Sequence, residues 1–162
     1  MSGKGTGKQR DRVERPYILA GLDFSEASRR ALDQALSLAR ERNAHLLILH
    51  VIDGEGLPEA AHLADMPEQE LRERLEKARR KRLEGVVSEA REGSGDVPCQ
   101  VLIAWGRPFQ EILRRSAEYA VNLIVLGTAG RSADLERALF GSTAEKVLRA
   151  ASCPVLCVPS DF

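Results

Sequence analysis

The sequence carries no net charge, because 24 Lys and Arg balance 24 Asp and Glu over 162 residues. A dedicated DNA or RNA binder needs a basic field to displace counterions, so that class is set aside. Long apolar runs are also missing. None approaches the ~20 residues that a membrane helix requires. No hydrophobic segment follows the basic residues near the amino terminus, so no secretory signal is expected and the expected compartment is the cytoplasm. Cysteine is scarce: Cys99, Cys153 and Cys157 are odd in number and form no CxxC pair. That speaks against a disulfide framework or a zinc site. All three stand in apolar runs, where a thiol serves as a small buried hydrophobe.

What is present suits one globular domain, long enough to bury a core without staples. Residues 1 to about 15 are rich in Gly and Lys/Arg with Val13 alone apolar after Met1, and are expected to form a flexible tail. Their GKGTGK string fails the GxxxxGK[ST] spacing and has no strand before it, so it is not a phosphate loop. The domain is expected over residues 16–162. There YILAGLD, HLLILHVI, VPCQVLIA, NLIVLG and CPVLCVP are short apolar runs that read as strands. Between them stand segments of helical spacing. Ala27, Ala31, Ala35, Leu36 and Ala39 mark the first, and Leu71, Leu75, Ala78, Leu83 and Val86 a long charged one opened by Pro67. Phe109, Ile112, Leu113 and Ser116 mark the third, and Ala144, Val147, Leu148 and Ala151 the last. DGEGLPEAAHLADM reads as a loop. Strands this uniformly apolar are buried on both faces under right-handed crossovers. The expected fold is α/β, a doubly wound three-layer sandwich with five parallel strands and four helices.

In such a sheet ligands bind outside the carboxyl ends of the strands, where strand order reverses. Asp23 follows the first strand, and Val51-Ile52-Asp53 end the second. After the fourth comes GTAGRSADLERALFGST, in which Gly127 and Gly130 allow a phosphate to approach backbone N–H groups. Gly141-Ser142 opens the last helix, whose first N–H groups and dipole favour an anion. Ser142 offers a hydroxyl and Arg131 a charge. A ligand-free reading stands beside this one. Ser142 with Glu145 has the spacing of a capping box, as has Asp23 with Glu26, and glycines after strands often only turn the chain.

The segments YILAGLDFSEASRRAL, LLILHVID, WGRPFQEIL, NLIVLGTAGRS and LFGSTAEKVLRAASCPVLCV resemble the universal stress protein family over residues 16 to about 158. The nucleotide-binding branch of that family carries G-x2-G-x9-G-[ST], and Gly127, Gly130, Gly141 and Ser142 occupy its fixed positions. Here ten residues, not nine, separate Gly130 from Gly141. The resemblance implies a Rossmann-like, adenine nucleotide alpha hydrolase-like sheet of order 3-2-1-4-5. It also implies ATP, or AMP or ADP, as ligand. Asp23 would lie by the adenosine part, Val51 by the adenine, and Leu126 and Gly127 along the ribose and α-phosphate. Gly130, Gly141, Ser142 and Thr143 would hold the outer phosphates, with Mg²⁺ or Mn²⁺ held through phosphate oxygens rather than by side chains. Gly21 takes only a spacing role. Relatives pair as homodimers through the last strand, here Cys153 to Val158.

The expected function is therefore an ATP-binding stress-response switch or binding module. The alternative is a nucleotide-free dimeric scaffold of the same family. No catalytic residue is assigned: His45, His50 and His62 form no triad spacing, and His50 in an apolar strand reads as a satisfied core residue. Slow hydrolysis or self-phosphorylation at Ser132, Ser142 or Thr143 is the most enzymatic outcome. A pyrophosphatase-type adenylating enzyme would show an SGGxDS-like loop where this chain has GLDFSEAS. A receiver domain would need an Asp where Ala104-Trp105-Gly106 ends the third strand.

Overall fold

In the computed structural model, which describes residues 15–128 and 140–160, each apolar run becomes a strand of one parallel sheet. β1 (Tyr17–Gly21), β2 (His45–Ile52), β3 (Cys99–Trp105), β4 (Leu123–Gly127) and β5 (Val155–Val158) stand in the order β3-β2-β1-β4-β5. The helices are α1 (Glu26–Glu41), α2 (Leu57–Leu63), α3 (Glu68–Arg91), α4 (Pro108–Glu118) and α5 (Ser142–Ala150). The expected tail, residues 1–15, lies outside the described residues except for Arg15.

Alternation along the strands builds two cores. Ile18, Ala20, Leu46 and Ile48 face α1 and α3, while Leu19, Leu47 and Leu49 face α4 and α5. The sheet is thus covered on both sides, which is why β1, β2 and β4 contain almost no polar residue. α1 presents Ala27, Ala31, Ala35 and Ala39 at four-residue spacing, all buried, and this shallow row lets the helix lie close on the sheet. Leu32 and Leu36 supply its bulk, at about 1.5–3 kcal/mol of burial each.

Four details depart from the sequence reading. The loop after β2 contains a helix, α2, started by Gly56 at φ +78° and Pro58, and held by the buried pair Leu57 and Ala61. The chain therefore has five helices among its described residues, not four. The apolar stripe of α3 is buried only at Leu83, Val86 and Val87; Leu71 and Leu75 are half-buried and Ala78 is exposed. Leu148, expected on the inner face of α5, is 42% exposed. The cysteines are half-buried rather than fully buried. Burial raises all three thiols above their ordinary pKa, which keeps them protonated. No helix among the described residues is long and apolar enough to cross a membrane.

Candidate functional site

The sheet changes direction between β1 and β4. These two strands pair only from Ile18↔Leu123 to Ala20↔Val125. Beyond that point β1 stays with β2 through Gly21↔Leu49, and β4 stays with β5 through Gly127↔Val158. The crevice that opens at the carboxyl ends is the strand-order switch where α/β sheets bind ligands. Leu126 fills its floor: a Cβ on Gly21 would lie 2.7 Å from Leu126 Cδ2, so Gly21 makes room for that side chain. Leu126 is 4% exposed, which leaves its backbone as the part able to meet a ligand.

Gly127 ends β4 directly under the first turn of α1. A Cβ there would lie 2.6 Å from the Ala27 carbonyl carbon and 2.8 Å from both Ala27 Cβ and Ser28 N. The missing side chain thus has a packing reason of its own. The next residue closes a loop: Thr128 N–H donates to the Val158 carbonyl at 2.9 Å, and Gly141 N–H donates to the Thr128 carbonyl. Gly127 and Gly141 are brought together across this closure. Gly130 and Arg131, on the excursion between them, lie outside the described residues, as does Ser132.

Gly141, not Ser142, is the N-cap of α5, and no side-chain hydrogen bond caps the helix. This corrects the capping-box expectation. Ser142 stands at the first helical position, exposed, and Glu145 pairs instead with Arg149 at 2.9 Å. Thr143 follows, half-buried. The helix start keeps the N–H groups and partial positive charge that suit an anion.

The other wall is the turn after β1. Asp23 and Glu26 form no capping box; Ser25 is the N-cap of α1, its Oγ accepting from Ser28 N–H at 3.2 Å. Asp23 folds back instead. Its Oδ1 accepts from Ser25 N–H at 2.9 Å and from Ser25 Oγ–H at 2.5 Å. Ser28, buried, accepts from Asp23 N–H at 3.3 Å and donates to the Ser25 carbonyl at 2.9 Å. The Asp23 carboxylate stays exposed at the crevice mouth. A contiguous chain of contacts therefore runs from Asp23 to Ser28, to Gly127, and through Thr128 to Gly141.

Val51 stands apart from that chain of contacts. It lies on β2 opposite Ala104, half-buried, its side chain on the α4 side of the sheet. Trp105, read as a turn residue, is the last residue of β3. Arg72 lies 4.4 Å over its ring, and its indole N–H donates to Glu76 at 3.3 Å.

Two residues at the site went unassigned in the sequence reading. His50, buried as expected, donates from Nδ1 to the Leu22 carbonyl at 2.7 Å, and its ring meets Phe24. Burial is the main cause holding its pKa below the usual 6.5, aided by the Arg79 and Arg82 cations and opposed by the Leu22 bond and Asp23. Phe24 has φ +67°, which nothing in the local sequence announces. Among the described residues no group of three His, Cys, Asp or Glu side chains could hold a metal ion.

Comparison with known proteins agrees with this architecture. The profile of the universal stress protein family matches residues 16–159. Universal stress protein YxiE of Bacillus subtilis is 35% identical over 146 residues, covering 87% of this chain and 97% of its own length. A universal stress protein of Thermus aquaticus is 34% identical, covering 87% of this chain and 96% of its own. Among solved structures, that of MJ0577 from Methanocaldococcus jannaschii superposes with a TM-score of 0.77 at 27% identity, over 93% of this chain and 99% of that one. The chain belongs to the universal stress protein family.

Proposed function

We propose that the chain binds ATP in the β1/β4 crevice and acts as a nucleotide-dependent module of the cytoplasmic stress response. One observation carries this reading: the Asp23 turn, Gly127 and the uncapped start of α5 at Gly141 meet at the strand switch point. The α5 start offers N–H groups and Ser142 to phosphates, while Asp23 offers an acceptor to the adenosine part. Gly130 and Arg131 would complete the phosphate contacts, and Val51 would meet the base. A divalent cation would be held through phosphate oxygens. Two universal stress proteins have been solved with cAMP and with dAMP; at 23% identity each shares only the fold with this chain.

A homodimer through the last strand belongs to the same proposal. Among the described residues β5 pairs with β4 alone, and Leu156 on it is 37% exposed, an apolar edge of the kind proteins normally cover.

The test is mass spectrometry of whatever the purified protein releases on denaturation, with Mg²⁺-ATP titration of stripped protein. Stoichiometric adenine nucleotide or saturable binding is expected. Neither, up to millimolar ATP, would refute the nucleotide and leave the dimeric scaffold.

A further inference from the structure

Phe24 holds a left-handed backbone conformation, φ +67°, that a bulky L-residue adopts only when its surroundings impose it. It is also 7% exposed, although it sits in a surface turn. The reason lies in what grips the ring. His50 packs against it with the rings tilted, 4.6 Å between centroids, and the Arg82 guanidinium of α3 lies 4.2 Å over it. The same imidazole donates from Nδ1 to the Leu22 carbonyl at 2.7 Å. One buried side chain on β2 therefore fixes the residue before Asp23 by a hydrogen bond and the residue after it by ring contact. Asp23, between them, is exposed and folded onto Ser25.

We propose that Phe24, clamped by His50 and Arg82, is a positioning residue that presents the Asp23 carboxylate to the adenosine part of a bound adenine nucleotide. The inference rests on the nucleotide reading above and deepens it. A glycine at this position would adopt the same φ without strain and would let the turn relax away from His50. The clamp also ties the turn to α3.

The test is calorimetric titration of Mg²⁺-ATP into the wild-type protein, Phe24→Gly, Asp23→Ala, their double variant and Arg82→Met. Phe24→Gly is expected to weaken ATP binding about tenfold, a loss of about 1.4 kcal/mol. The double variant should bind no more weakly than Asp23→Ala alone, because Phe24 acts through Asp23. Arg82→Met keeps an apolar stem over the ring and loses the cation, for a loss of about two- to fivefold. Inorganic tripolyphosphate, which has no adenosine, should bind every variant alike. Wild-type affinity in Phe24→Gly, or losses that add in the double variant, would overturn the proposal. If Phe24→Gly does not fold, Arg82→Met with and without Asp23→Ala carries the same comparison. Silence of the wild-type protein towards ATP would instead refute the nucleotide reading, before any variant is compared.

Discussion

Replacing Gly127 with alanine tests whether the glycine is there for packing. The new Cβ would sit 2.6 Å from the Ala27 carbonyl carbon and 2.8 Å from Ala27 Cβ and Ser28 N. Ordinary carbon contacts lie at about 3.5–4.0 Å, so each approach is short by roughly 0.7–1.4 Å. The atoms met are backbone and a methyl group, which no rotamer change can move. β4 cannot yield easily here, since Gly127 is paired with Val158 of β5 and the strand is held by β1 up to Val125. The start of α1 must move instead, against the close seating of Ala27, Ala31 and Ala35. Overpacking of this kind costs about 1–3 kcal/mol, and in a domain of this size a kilocalorie moves Tm by about 2–4 °C. Gly127→Ala should therefore lower Tm by roughly 2–12 °C in thermal unfolding followed by circular dichroism. Gly85 provides the control. It lies inside α3 with nothing within 4 Å of its Cβ position, so Gly85→Ala should stabilise by about 0.5–1 kcal/mol. A Gly127→Ala protein as stable as the wild type would refute the packing argument. If it also failed to bind ATP, phosphate approach would be the reason for the glycine.

Two further predictions concern the same corner. His50 has its pKa lowered by burial, so between the folded value and 6.5 the unfolded chain binds more protons than the native one. Stability should thus be flat above about pH 7 and fall as pH drops through that window, read from urea midpoints between about pH 5 and pH 8. His50→Asn, which keeps a donor for the Leu22 carbonyl and cannot titrate, should flatten that slope; an unchanged slope would clear His50. Ser142 is exposed at the first turn of α5 and makes no capping bond, so Ser142→Ala should leave Tm unchanged. Its ATP affinity should fall about ten- to a hundredfold, one hydrogen bond to a charged group; unchanged affinity would remove Ser142 from the site.

How far the sequence could be read depended on whether one side chain or two neighbours decided the outcome. The strands were legible because LIVLG and HLLILHVI are apolar on both faces, which only a covered parallel sheet explains. α2 was not, because Gly54, Gly56 and Pro58 punctuate its start and only Leu57 and Ala61 are buried. In the DFSEAS turn the expected cap was Asp23, yet Ser25 caps α1 because Phe24 takes a positive φ and turns Asp23 back. That φ depends on a ring of β2 and a cation of α3, 26 and 58 residues away in sequence, so no local pattern could signal it. At Gly127 the sequence suggested phosphate approach, and the structure adds the pressure of α1. The two reasons act together. Only a bare backbone lets α1 press on β4, and that pressure brings the Asp23 turn to the mouth of the β4 exit. Loss of binding in a Gly127 variant would thus mix a damaged wall with a lost contact. Ser142, exposed and making no side-chain capping bond, is where a ligand contact can be measured with the wall left in place.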